Sequence, residues 1–210
     1  MPPRSRPKTQ PDAAHVAGTA SAGRAATTGG GARPQGQVSL LRGINVGGHN
    51  QIAMPRLREI YVSLGLDSVT THINSGNVIV STDREPDALA RDVEAAIRRE
   101  LGLEIRALGR THADLGRILA EDPFPDAHPS RHIVAFLSGP PTDEAMERLR
   151  ARATDEDRVE AVGRELHLLY GAGMAGSKMN AALIERSGLV ATARNLRTVT
   201  RLHELTAPQG

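Results

Sequence analysis

Residues 40–50 read LLRGINVGGHN, and the fold turns on how this stretch is read, because an apolar strand runs here into a turn with three glycines. Gly43, Gly47 and Gly48 permit positive φ and close backbone approach. Beside them stand one cation, Arg42, and one amide, Asn45. Such a loop either binds an anion or turns a corner. A nucleotide cradle of the Walker type would end in Gly-Lys followed by Ser or Thr and would sit in a parallel βαβ unit. Residues 40–50 lack that ending, so the elements on either side have to decide.

Downstream, Leu57, Ile60, Tyr61 and Leu64 recur at i, i+3, i+4 and i+7, with Pro55 suited to a first turn and Gly65 to a stop, which predicts a helix over 54–64. Residues 68–73 and 77–81 are rich in Val, Ile and Thr around Asn74-Ser75-Gly76, a hairpin signature. Residues 86–101 place Leu89, Val93, Ile97 and Leu101 on one face, and residues 103–108 read as a strand. With the opening strand at 37–42 the order is β-α-β-β-α-β, that of a ferredoxin-like unit with an antiparallel sheet. The glycine loop then leaves the first strand of an antiparallel unit, which argues against nucleotide hydrolysis.

The second half repeats the order. A connecting helix over 111–120, opened by Thr111 and Asp114 in capping-box spacing, leads through a proline-rich link to a strand at 131–138. A helix over 143–153 capped by Thr142, a hairpin of 158–162 and 165–170 around Gly163, a helix over 177–186 and a strand at 189–193 follow. Asn195 then caps a last helix bearing Leu196, Val199, Leu202 and Leu205. The expected fold class is α+β, two tandem ferredoxin-like (βαββαβ) subdomains with antiparallel sheets and additional helices. The expected boundaries are an arm at 1–36, a first subdomain at 37–110, a connecting helix and link at 111–130, and a second subdomain at 131–210.

Residues 1–36 are Pro-, Ala-, Gly-, Thr- and Arg-rich, have Val16 as their one large aliphatic after Met1, and read as a disordered basic arm. They hold five basic residues against one acidic, a surplus of four in a chain whose formal charge is +2, so residues 37–210 carry −2. The high pI therefore belongs to the arm, and the rest shows no global charge for a phosphate backbone. With no cysteine, disulfides, thiolate nucleophiles and Cys-ligated metals are excluded. No apolar run approaches the ~20 residues of a spanning helix. A cytoplasmic protein is expected, and the preference for Arg over Lys fits a GC-rich bacterial genome.

Four ordered stretches, LLRGINVGGHN, HINSGNVIV, GSKMNAALIER and ATARNLRTVTRL, resemble the signature stretches of the bacterial domain of unknown function 1697 family. The resemblance spans residues 38–206 and implies two ferredoxin-like subdomains, but no activity. The residues that match are Arg42, Gly43, Asn45, Gly47, Gly48, Ser75, Gly76, Asn77, Ser177, Lys178, Arg194, Asn195 and Thr198. Two positions depart from it, His49 where a Lys is expected and Leu196 where an aromatic is expected. The first weakens a fixed positive charge beside the glycine loop, the second a stacking role at the last helix.

Each candidate site has a functional and a structural reading. Gly171 to Lys178, GAGMAGSK, has the glycine spacing of a P-loop but ends Ser-Lys, which puts amine and hydroxyl on different helical faces. What survives is an anion site at a helix start, with Ser177 as cap and Lys178, the only lysine after the arm, as point charge; the alternative is a plain cap and a solvated amine. Arg42 either faces a ligand or pairs with an acid such as Glu59. Asn195 caps a helix, and Arg194 either supplies a second cation or belongs to that helix start. Ser75 and His72 do not make a hydrolytic pair, and His128 and His132 share no helix face because Pro129 and a strand intervene, so no metal site and no cofactor is assigned.

The expected function is that of an uncharacterised cytoplasmic protein binding a small anionic ligand between its subdomains through Arg42, Asn45, Gly47, Gly48, Ser177, Lys178, Arg194 and Asn195. Whether it is an enzyme stays open. The alternative is a nucleic-acid or protein interaction module, for which the sparse aromatics (Tyr61, Phe124, Phe136 and Tyr170) are poor equipment. A structural homodimer through sheet edges is the third possibility.

Overall fold

A computed structural model of the chain describes residues 34–174, 177–179 and 182–208. The expected arm thus lies outside the described residues as far as residue 33. Strand β1 (Gln35–Leu41) begins two residues ahead of the expected start. Gly36 allows this: a Cβ there would stand 1.8 Å from the carbonyl oxygen of Thr206, so only glycine lets that backbone lie against the strand.

The order continues with α1 (Met54–Ser63), β2 (Val69–His72), β3 (Asn77–Thr82), α2 (Pro86–Leu101), β4 (Ala107–Thr111) and α3 (His112–Ala120). It then repeats as β5 (His132–Leu137), α4 (Asp143–Arg150), β6 (Arg158–Val162), β7 (Glu165–Leu169), α5 (Ala182–Glu185), β8 (Ala191–Asn195) and α6 (Leu196–Leu205). Two four-stranded antiparallel sheets result, ordered β2-β3-β1-β4 and β6-β7-β5-β8. Helix boundaries follow local chemistry. Glu85 caps α2 by accepting from the amides of Asp87 and Ala88, Pro86 fills the first turn, and Gly102 closes it at φ 67°. Thr111 and Asp114 form a full capping box on α3.

Three apolar layers hold the molecule. Leu57, Ile60 and Tyr61 of α1 and Leu89, Val93 and Ile97 of α2 cover one face of the first sheet. Met146 and Leu149 of α4 do the same for the second. The remaining faces meet: Val38, Leu40, Ile79 and Leu108 from one sheet and Val134 and Phe136 from the other share one cluster with Leu115 and Ile118 of α3 and Val199 and Leu202 of α6. β1 and β5, covered on both faces, are accordingly near-continuous buried runs.

Three elements are displaced from their expected places. β4 occupies Ala107–Thr111 instead of 103–108, and β8 occupies Ala191–Asn195 instead of 189–193. Both extend through an arginine next to their last residue, Arg110 and Arg194, whose side chains bond across to the other half. Arg110 is fully buried; its Nε donates to Glu165 Oε1 at 2.7 Å and its Nη2 to the Leu137 carbonyl at 2.8 Å, and its guanidinium lies 5.7 Å from the Phe136 ring centre. The third displacement is the helix expected over 177–186, which among the described residues is found at Ala182–Glu185. Ser177 is therefore not its cap. Its hydroxyl accepts from the Met179 amide and donates to Asp157, which holds residues 177–179 outside the helix.

Candidate functional site

The glycine loop turns a corner. Val46 and His49 form an isolated antiparallel bridge, the His49 amide bonds the Val46 carbonyl at 3.1 Å, and Gly47 and Gly48 between them have φ of 59° and 80°. Two positive φ values in a two-residue connection are the requirement of a twisted hairpin turn, which explains both glycines. Asn45 is itself at φ 56°. Its Nδ2 donates to the carbonyls of Ile52 and Asn74 at 3.0 Å each, and its Oδ1 accepts from the Ile52 amide at 2.8 Å. The side chain is thereby tied to both its own loop and the β2–β3 turn.

Arg42 pairs with Glu185 of α5 at 2.6 Å, not with Glu59, which instead pairs with Arg56. Arg194 is more deeply engaged. Its Nε donates to Asn77 Oδ1 at 2.6 Å, its Nη1 to Thr192 Oγ1 and the Ala193 carbonyl, and its Nη2 to the carbonyls of Leu41 and Ser75. Those five bonds match the five N–H groups of a guanidinium. Burial pushes its pKa down to about 10. Asn195 caps α6 by accepting from the Thr198 amide at 2.8 Å.

In the second half, Asp157 is the anchor. It is 5% exposed and accepts from the amides of Thr154 and Gly171 and from the Ser177 hydroxyl, the last at 2.7 Å. Burial raises its pKa, but these hydrogen bonds outweigh it and hold the carboxyl below its ordinary range. Tyr170 donates its hydroxyl to the Met179 carbonyl at 2.9 Å, and a Cβ on Gly171 would stand 2.2 Å from Cβ of Glu156. The glycine-rich segment is thus clamped onto the α4–β6 connection. Lys178 emerges there and lines a concavity of about 450 Å³ with Arg152 and Thr154.

The structure brings Arg42 and Arg194 together around the end of β1, where Arg194 binds the Leu41 carbonyl. Asn45 lines a concavity with Gln51 to Pro55 and Asn74, whereas Lys178 lines the one beside Arg152. Arg152 and Thr154 had no motif to mark them; they are brought to Lys178 by the Asp157 bonds. The inner sheet faces that a nucleic acid would need are filled by α3, α6 and the opposite sheet. Among the described residues, no helix is long and apolar enough to cross a membrane.

Comparison with known proteins agrees with this architecture. The family model described as "Protein of unknown function (DUF1697)" matches residues 35–167. No curated protein matches the chain significantly. Among solved structures, the conserved bacterial protein SP0830 from Streptococcus pneumoniae superposes with a TM-score of 0.62 at 20% identity, over 82% of this chain and 99% of that one. At that identity the likeness speaks for the fold alone.

Proposed function

This chain belongs to the DUF1697 family of proteins of unknown function, and on that premise we propose that it is a cytoplasmic protein that binds a small anionic molecule. In this reading the repeated element order and the strand orders make two ferredoxin-like subdomains in tandem. The observation that carries it is the concavity lined by Lys178, Arg152 and Thr154, which gathers two cationic residues at one place on the surface. A point-charge amine and a forked guanidinium lining one concavity suit a phosphate or carboxylate group. Arg42 and Arg194, at the junction of the two halves, take the role of holding those halves, since their donors face Glu185 and backbone carbonyls.

A thermal-shift series of the full chain against inorganic phosphate, citrate and nucleoside monophosphates tests this. A ligand at a hundred times its Kd adds about 2.7 kcal/mol to the folded state, a readily measured rise in Tm. The rise is expected for wild type and lost in Lys178→Met combined with Arg152→Ala. No rise with any of these anions, or an equal rise in the double variant, overturns the reading.

A further inference from the structure

We propose that Asp122, His132 and His167 form a binding site for a divalent metal ion of the zinc type. The three residues come from the link after α3, from β5 and from β7, and one donor atom of each lies within 4.8 Å of the other two. His132 and His167 are fully buried, and the Asp122 side chain is 10% exposed. Nδ1 of each ring stands 3.7 Å from a carboxylate oxygen of Asp122. That is too long for a hydrogen bond. It is close to the spacing of about 3.4 Å that donors of a tetrahedral zinc site have when each lies about 2.0–2.1 Å from the metal.

The second observation is independent of that spacing. Between the rings there is one hydrogen bond, Nε2 of His132 to Nδ1 of His167 at 3.0 Å. The outer nitrogens, Nδ1 of His132 and Nε2 of His167, have no hydrogen-bond partner among the described residues. Two neutral imidazoles offer two donors and two acceptors, and one mutual bond uses one of each. A buried donor and a buried acceptor therefore stay unsatisfied, which natural interiors avoid unless the groups serve another purpose. One of the two, Nδ1 of His132, is the nitrogen that faces the Asp122 carboxylate, and a metal ion there would engage it, with Nδ1 of His167 joining in exchange for the ring–ring bond.

The surroundings suit a neutral-imidazole ligand set. Burial lowers the pKa of both rings, His167 to about 4 with His132 adding to the effect, so at neutral pH they carry lone pairs instead of extra protons. The Phe124 ring meets His132 edge-on at 5.6 Å and closes the apolar side. The Phe124 amide donates to Asp122 Oδ1 at 2.8 Å and orients the carboxylate, a supporting contact typical of metal sites. Two imidazoles and one carboxylate leave a coordination position for water. The ion would fasten the 121–131 segment to the second sheet. Local spacing could not reveal this site, because 35 residues separate the two histidines and each lies within a buried strand.

The test uses the chelator-treated full chain titrated with Co2+ as a spectroscopic probe and Zn2+ as competitor. One equivalent of Co2+ is expected to give the visible bands of a low-coordinate nitrogen–oxygen site, and one equivalent of Zn2+ to abolish them. Asp122→Asn keeps the shape and is expected to weaken Zn2+ binding tenfold or more. The exposed neighbour His128→Ala is expected to bind as wild type. Wild-type protein without stoichiometric cobalt bands overturns the proposal, as does unchanged affinity in Asp122→Asn. His167→Ala adds support if it folds and loses the bands; if it fails to fold, the wild-type spectrum still decides.

Discussion

Arg110 and Arg194 occupy the same place in the two halves, each one residue before the N-cap of the helix that follows its strand. Each crosses to the other half and binds corresponding atoms there. Arg110 takes the last carbonyl of β5, from Leu137, and the first side chain of β7, Glu165; Arg194 takes the last carbonyl of β1, from Leu41, and the first side chain of β3, Asn77. The difference is the partner, a carboxylate in one clamp and an amide in the other. Asn77 has a second duty that a carboxylate could not fulfil: its Nδ2 donates to the His72 carbonyl and to Ser75 Oγ, closing the longer β2–β3 turn. In the short β6–β7 turn around Gly163, Glu165 has no such obligation, and the buried charge of Arg110 receives a counter-charge instead.

This comparison can be broken most severely at Arg110. Arg110→Ala leaves the Glu165 carboxylate buried without its partner, and a loss of about 3–5 kcal/mol in urea unfolding is expected. Replacing both, as Arg110→Met with Glu165→Leu, should recover most of that loss, because the desolvation of both charges disappears together. Arg194→Ala, in the half-buried clamp, should cost about 2 kcal/mol, mainly from carbonyls left without donors. If Arg194→Ala proves the costlier of the two, the carboxylate is not what distinguishes the clamps.

Asn77→Asp sharpens the point, since it gives the second clamp the first one's charge pair but removes both turn donors. A net loss of about 1 kcal/mol is expected in the same assay. The smallest effect concerns acid stability. Asp157 has its folded pKa held below the ordinary carboxylate value of about 3.9. Its contribution is therefore complete above that value and is lost as pH falls through the lower folded pKa. Asp157→Asn should reduce stability at pH 7 and flatten the decline below about pH 4, measured by urea unfolding across pH.

Much of the fold was legible because local chemistry and periodicity coincide. The α2 stripe of Leu89, Val93 and Ile97, the capping box of Thr111 and Asp114, and the caps Thr142 and Asn195 all act within a few residues. The apolar run at 131–138 announced β5, and the structure shows both its faces covered. Where the reading slipped, at β4 and β8, the cause was the same: an arginine inside a strand makes sense only beside atoms of the other half, 27 or more residues away.

The candidate site divides along the same line. The sequence by itself determined that residues 40–50 would leave the first strand in a glycine-dependent loop, because positive φ is a local demand. It determined the α+β class for the same kind of reason, through periods of 3.6 and 2. Only the tertiary structure decided that Arg42 and Arg194 spend their donors inside the protein, that Lys178 stands with Arg152, and that Asp122, His132 and His167 meet. Charge pairing and ligation depend on distance in space, and sequence spacing fixes that distance only within a single element.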